Sequence, residues 1–328
     1  MTAHGRSTQA GQVSRMAATN TITAGGRQVA VHKADKQMYP GVTKADVVRH
    51  YRDVADLMLP GLVGRPLTLR RFPDGIAAKG FIQQEAPAHF PDWVHVETLP
   101  TRSDRPPVRH ILADDAATLA YLADQGCLEF HSWLSRHDQP DRPDLFVLDL
   151  DPPDELPIDE LRRAVRKSRD VLSDTGLVPF LRGTGGAGFH LVAPLIPDLG
   201  FDDVRAFADE VASRLAADDA DLFTTERRRG RRGGAVFVDT GRNAYGQTAV
   251  ASYSLRARAN APVAVPLDWD ELGRVWPDRY TVDNLSRRLA HKQDPWRDLF
   301  DSAGSVPRAR SRLARRFEAS PAAAKDGG

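Results

Sequence analysis

The 328-residue chain is 41% hydrophobic and 27% charged with a formal net charge of +1, the composition of a soluble globular protein with room for one large domain or two modest ones. No apolar run reaches the length of a membrane span, and the N-terminus lacks a signal-peptide core. Cys127 is the only cysteine, which excludes an internal disulfide and fits a reducing cytoplasm. The near-zero total hides an uneven distribution. Arg227, Arg228, Arg229, Arg231 and Arg232 form one basic cluster, and Arg308, Arg310, Arg312, Arg315 and Arg316 form another. Either cluster suits a polyanion-binding face or a solvated surface.

Residues 1–20 are small, polar and patternless, the pattern of a disordered tail. Order is expected from Gln28–Val31. Thr43 is a suitable N-cap, and Val47, Val48, Tyr51, Val54, Ala55 and Met58 then recur at helical spacing until Pro60-Gly61. Leu67–Phe72 reads as a strand. Residues 73–109 are proline-rich with short strand-like pieces such as Val94–Glu97. Asp114 or Asp115 caps a helix to Asp124, and Leu128–Trp133 follows as a strand. A strand ending in Asp149-Leu150-Asp151 precedes a helix over Ile158–Ser173, and a strand near Val178–Leu181 leads into a glycine loop. Phe189–Leu195 reads as a strand, Asp202–Ala216 as a helix, Ala235–Asp239 and Thr248–Leu255 as strands, and Trp269–Leu272 and Val282–Ala290 as helical fragments. Several strands follow one another without an intervening helix. That pattern predicts an α+β fold with mixed, largely antiparallel sheets flanked by helices rather than a doubly wound sheet.

Three motifs carry chemistry. In Leu145–Asp151, alternation puts Asp149 and Asp151 on one strand face. Two such carboxylates repel unless a cation or a basic group lies between them, which makes them either metal ligands or the start of a proline-terminated turn. Gly183-Thr184-Gly185-Gly186-Ala187-Gly188 satisfies G-x-G-x-x-G, but Phe189-His190-Leu191 continues as a strand, so the helix that a dinucleotide-binding fold requires is missing. A strand–glycine loop–strand hairpin can still cradle phosphates through its N–H groups, with His190 beside them. Asp239 ends the third motif, and downstream Ser252, Ser254, Arg256 and Arg258 alternate in one strand, so Arg256 and Arg258 share a face suited to phosphate recognition. Three strand-end carboxylates could hold two hard cations whose coordination nucleotide phosphates complete.

In this order the motifs resemble the polymerase domain of bacterial DNA ligase D, a member of the archaeo-eukaryotic primase superfamily. The resemblance spans residues from about 30 to 300 and rests on Ala34–Pro40, Val42–Asp46, Phe146–Pro152, Gly185–His190, Val236–Asp239 and Ser252–Arg258. It implies a primase-like catalytic core and a template-dependent, metal-dependent nucleotidyltransferase adding nucleotides at DNA ends or gaps in non-homologous end joining. It further implies Asp149, Asp151 and Asp239 as catalytic ligands of two Mn²⁺ or Mg²⁺ ions, and His131, Thr184, Gly185, Gly186, His190, Arg256 and Arg258 as nucleotide-binding residues. Lys36 and Lys44 match a pair that receives a DNA 5′-phosphate, and Phe81 a template-stacking position. The implied partners are gapped or broken DNA and NTP or dNTP, with Ku and a separate ATP-dependent DNA ligase, in a cytoplasmic, nucleoid-associated setting.

The expected layout is a domain over residues 21–302, with an end-binding part at about 28–110 and a catalytic core at about 111–300, followed by a basic flexible tail at 303–328. Two departures stand out. Ala187 occupies the place of a family lysine in the hairpin, and Phe81-Ile82 stands where two adjacent aromatics are common. Ala187 admits a rival reading, a DNA-end-binding module with weak or lost catalysis. An Asp-x-Asp glycosyltransferase would explain Asp149 and Asp151 but leave Asp239, Lys36 and Lys44 without roles.

Overall fold

The computed structural model describes residues 20–102 and 106–318. The expected disordered tail lies outside these residues except at Asn20, which begins a strand. The chain opens with two small hairpins, β1 (Asn20–Ala24) with β2 (Arg27–Val31) and β3 (Gln37–Tyr39) with β4 (Val42–Thr43). Next come α1 (Lys44–Asp53), α2 (Ala55–Met58), β5 (Leu67–Arg71), β6 (Phe81–Gln83), β7 (Val96–Leu99), β8 (Val108–Ile111), α3 (Ala116–Asp124) and β9 (Cys127–Trp133). The second half contains β10 (Leu145–Asp151), α4 (Ile158–Asp174), β11 (Phe180–Gly183), β12 (Phe189–Pro194), α5 (Phe201–Asp218), β13 (Phe223–Thr224) and β14 (Val236–Asp239). It ends with β15 (Thr248–Val250), β16 (Val265–Leu267), α6 (Leu285–Leu289) and α7 (Val306–Glu318).

Two sheets dominate. The larger runs β13-β14-β10-β12-β11-β16 and the smaller β15-β9-β5-β6. Every pairing within them is antiparallel except β13 with β14, so the α+β expectation holds. β10 is central, and its two faces do different work. Phe146, Leu148 and Leu150 belong to the main core, where Phe146 meets Phe207 of α5 at a ring separation of 5.6 Å. Burying one such side chain contributes about 1.5–3 kcal/mol. On the opposite face Leu145 and Val147 join a smaller apolar cluster with Val192 and with Ala249 of the second sheet. That cluster ties the two sheets together up to Val147, and the next two residues on the same face are Asp149 and Asp151. The strand therefore turns from apolar to acidic where that shared cluster ends.

Local chemistry sets several boundaries. Thr43 and Asp46 form a capping box that starts α1, and Val47, Val48 and Tyr51 bury one helix face. Asp115, not Asp114, caps α3, leaving Asp114 to accept from the Gly64 N–H at 2.7 Å. Asn243 extends the ladder of β10 beyond the end of β14: its Oδ1 accepts from Val147 N at 2.9 Å and its Nδ2 donates to Val147 O at 2.7 Å.

Four expectations are corrected. The strand foreseen at Thr248–Leu255 stops at Val250, because Tyr253 takes a left-handed φ of 65° that ends the extended backbone. Trp269–Leu272 forms turns, and the helix expected over Val282–Ala290 shortens to Leu285–Leu289. Residues 306–318 of the foreseen flexible tail form α7, whose Val306, Ala309 and Leu313 recur at helical spacing and are buried in the core beside α4 and α5. The ten tail residues beyond Glu318 lie outside the described ones.

Candidate active site

Register builds the site. Asp149 on β10 faces Asp239 on β14 to one side and His190 on β12 to the other, and His190 in turn faces Arg182 on β11. Residues directly opposite in a ladder point to the same side, so the row Asp239–Asp149–His190–Arg182 crosses four strands on one face. Asp151, two residues on from Asp149, lies on that face as well.

Three members of the row are also linked through their side chains. Arg182, almost fully buried, donates from Nη2 to His190 Nδ1 at 2.8 Å. An arginine can only donate, so Nδ1 accepts and the ring proton sits on Nε2, which lies 3.3 Å from Asp149 Oδ1. Burial pushes the Asp149 carboxyl up, but His190 and Arg242 outweigh it and hold the carboxyl at about 2. Arg242 supplies its Nε at 3.4 Å from Asp149 Oδ2. Burial pushes Arg182 down to about 9, against the attraction of Asp149. Burial also keeps His190 below its ordinary value, so it is held neutral. Asp151 behaves oppositely: burial and the charges of Asp149 and Asp239 raise it, with Arg232 partly opposing from 3.7 Å.

These carboxylates fit a hard divalent cation by donor chemistry and by the repulsion that raises Asp151. Among the described residues, however, no three His, Cys, Asp or Glu side chains converge in a metal-holding arrangement. The reason is visible in their partners. Asp149 is turned to His190 and Arg242, Asp151 to Arg232, and Asp239 accepts from its own Gly241 N at 2.8 Å.

The glycine hairpin joins β11 to β12 next to the row. Gly185 has φ +65°, and a Cβ there would meet Arg256 Cγ at 2.8 Å; a Cβ on Gly188 would fall 2.1 Å from Leu150 O. Glycine at 188 is thus what lets the hairpin lie against the acidic strand. Three loop N–H groups are already engaged, Thr184 N by Gly188 O at 3.3 Å, Gly185 N by Pro277 O at 2.9 Å and Gly186 N by Thr184 Oγ1 at 3.2 Å. The Thr184 hydroxyl itself donates to Gly188 O at 2.7 Å. In this conformation Thr184, Gly185 and Gly186 stabilise the hairpin. Ala187 sits exposed at the tip.

Arg256 and Arg258 do not alternate on a strand, since the extended backbone ends before the left-handed Tyr253 and both lie in irregular backbone beyond it. Both still reach the hairpin. Arg256 Nη1 donates to Thr184 O at 2.6 Å, and Arg258 Nη2 lies 3.4 Å from a Cβ placed on Gly186. His131 arrives from β9 and pairs with buried Glu129 at 2.9 Å. Burial tends to raise Glu129, yet His131, Arg256 and the Ala257 N–H hold it at about 2. Glu129 also receives Arg70 Nη1 at 2.8 Å, so one carboxylate anchors His131, Arg70 and Arg256.

Lys36 and Lys44 meet in the N-terminal region, where Lys44 N donates to Lys36 O at 2.8 Å. Lys44 is not a surface lysine. It is buried, and its Nζ donates to Asp124 O at 2.8 Å with Asp124 Oδ1 at 3.5 Å. Burial lowers its pKa, and the charges of Lys36 and Lys33 lower it further. Lys36 is held by Asp74. Phe81 and Ile82 are 49% and 66% exposed on the edge strand β6, with Arg71 over the Phe81 ring at 5.4 Å.

Sequence reasoning missed Glu129, Arg242 and Lys33. Glu129 looks like any strand carboxylate, and Arg242 follows Asp239 in a turn. Only the pairing of β9 with β5 and of β10 with β14 shows where they point.

A model of the LigD primase-polymerase domain matches residues 43–296. The multifunctional non-homologous end joining DNA repair protein LigD of Mycobacterium tuberculosis is 33% identical over 282 residues, covering 83% of this chain and 37% of that protein. LigD of Pseudomonas aeruginosa is 34% identical over 287 residues, covering 86% of this chain and 34% of that protein. The chain thus spans little more than a third of these relatives. The polymerase domain of Mycobacterium tuberculosis Ligase D in complex with DNA aligns with a TM-score of 0.78 at 32% identity, covering 84% of this chain and 99% of that one. The chain belongs to the LigD primase-polymerase domain family.

Proposed function

We propose that this protein is a template-dependent nucleotidyltransferase that extends a primer 3′ end at DNA gaps and breaks during end joining. The observation that carries the reading is the row Asp239–Asp149–His190–Arg182, in register across four strands and flanked by the glycine hairpin. Asp149, Asp151 and Asp239 are the residues that would hold two Mn²⁺ or Mg²⁺ ions. Bound there, the ions supply Lewis-acid stabilisation of the transferring phosphoryl group.

The chain's own residues have separable tasks. Asp149 stays ionised at every physiological pH because His190 and Arg242 favour its charge. His190, fixed in one tautomer by Arg182, presents an N–H rather than a charge. Arg256 and Arg258 bring guanidinium groups to the hairpin, where they can pair with phosphate oxygens. Lys36 and Lys44, with Lys33, offer a basic site for the 5′-phosphate across a gap, and Phe81 offers a stacking surface on an exposed edge. NTP or dNTP, gapped DNA, Ku and a separate ligase are the partners this reading entails.

Extension of a primed, gapped duplex with Mn²⁺ and either NTPs or dNTPs tests it. Wild type should extend the primer, and Asp149→Ala/Asp151→Ala should not; equal failure of both sinks the catalytic claim. The exposed, uncharged Ala187 at the hairpin tip supports a second reading, an end-binding module with weak or lost catalysis. Ala187→Lys separates the two. A marked gain in extension identifies a weakened enzyme, and tight binding without turnover in both forms identifies the binder.

A further inference from the structure

The segment that delivers Arg256 to the glycine hairpin is fastened by the helix that begins with Lys44. Two consecutive residues of α1 make the attachment. His50 is buried, and its Nε2 lies 2.9 Å from Tyr253 O; a carbonyl only accepts, so the ring donates. Tyr51, also buried, donates from its hydroxyl to Leu128 O at 2.7 Å and accepts from Leu255 N at 2.9 Å. From the strand side, Ser254 Oγ accepts from Phe130 N at 2.9 Å, and the Tyr51 ring packs on Phe130 at 4.6 Å. These contacts surround Tyr253, whose φ of 65° is a conformation a tyrosine keeps only when its surroundings hold it there. The next residues are Arg256, bonded to Thr184 O, and Ala257, bonded to Glu129.

We infer that His50 and Tyr51 are positioning residues for the incoming nucleotide: they lock the Tyr253–Leu255 turn so that Arg256 meets the hairpin. The inference rests on the polymerase reading of the site. Neither side chain touches the carboxylate row, and neither needs to. Their effect passes through a backbone turn too tight to choose another path while both bonds are made. The same helix carries Lys44 at its first position, so one rigid element connects the candidate 5′-phosphate site with the candidate nucleotide site.

The test compares wild type, Tyr51→Phe, His50→Ala, His50→Gln and Arg256→Gln. For each, nucleotide KM and kcat are measured on a gapped duplex with Mn²⁺, alongside affinity for the 5′-phosphorylated duplex and a thermal melt. Losing one net hydrogen bond to the turn should raise nucleotide KM about five- to tenfold in Tyr51→Phe and in His50→Ala, with kcat and duplex affinity within about twofold of wild type. His50→Gln retains an amide donor and should recover most of the loss. Should His50→Ala fail to fold, Tyr51→Phe carries the test, since it removes only an oxygen. A folded Tyr51→Phe with wild-type KM, while Arg256→Gln loses nucleotide affinity, overturns the positioning role and leaves the polymerase reading standing. Parallel losses of nucleotide and duplex affinity in Tyr51→Phe overturn it as general loosening. A wild-type protein that binds no nucleotide overturns both.

Discussion

Asp149 and Asp239 are direct cross-strand partners on β10 and β14, yet their carboxylates are held apart by different partners, Arg242 and His190 for the first and the Gly241 N–H for the second. The acidic row is therefore assembled by backbone pairing and restrained by side chains that a cation would have to displace.

Asp151 is raised by burial and by the charges of Asp149 and Asp239. Removing its charge should relieve that repulsion. With a chelator present, Asp151→Asn is expected to melt at or above the wild-type temperature, by up to about 0.5 kcal/mol, a small figure because the side chain is partly exposed. Adding Mn²⁺ should raise the wild-type melting temperature by mass action and the variant's much less. Extension should fall by about two orders of magnitude. A variant that melts well below wild type in chelator would contradict the repulsion argument.

Burial holds His50 at about 4 in the folded protein, against an ordinary value of 6.5. Between those values the unfolded chain binds the extra proton, so the stability contribution is complete above the higher value and is lost as pH falls toward the lower one. His131 and His190, also lowered chiefly by burial, act with the same sign. Urea denaturation at about pH 7 and about pH 4.5 should show that His50→Gln removes on the order of 2 kcal/mol of this acid-dependent loss. An unchanged pH dependence in the variant would show that His50 does not titrate across this range.

Lys44 and Lys36 should separate in stability while agreeing in DNA binding. Lys44→Ala strips the buried Asp124 of a cation and is expected to cost about 1–3 kcal/mol. Lys36→Ala breaks an exposed pair with Asp74 and should cost less than about 0.5 kcal/mol. Each should reduce the preference for a 5′-phosphorylated over an unphosphorylated gap. Each should also lower the salt slope of duplex binding by about one unit. Gel shifts across a salt series read the second effect, and denaturant melts the first.

Gly188→Ala tests the seam between hairpin and acidic strand. Its Cβ would fall 2.1 Å from Leu150 O, backbone that cannot swing away, so the hairpin must lift off β10. A loss of about 2–4 kcal/mol is expected, together with loss of extension as His190 is displaced from Asp149. Gly230→Ala, with nothing within 4 Å of its Cβ, is the neutral control for the melts.

Much of the fold was legible because local pattern and final burial coincide. The apolar run before Asp149 is a buried central strand, and Thr43 caps α1 as its chemistry suggests. What stayed hidden was non-local. Tyr253 occupies left-handed space because His50, some two hundred residues away in sequence, bonds its carbonyl, and no propensity encodes that. The arginine-rich α7 reads as a tail because its apolar residues are few, but Val306, Ala309 and Leu313 are enough to seat it. In the site, residue types and strand pattern pointed to the carboxylates and His190, and the family resemblance to His131. Glu129 and Arg242 became visible only once strand pairing set them beside those groups.

The glycine hairpin divides its labour sharply. Gly185 and Gly188 are fixed by backbone shape and by contact with neighbouring chain, whereas Ala187 projects from the tip into solvent. On the polymerase reading proposed above, residue 187 is where charge can be added beside the site without disturbing the scaffold beneath it. A single codon there changes what meets the solvent, while the folding problem stays the same.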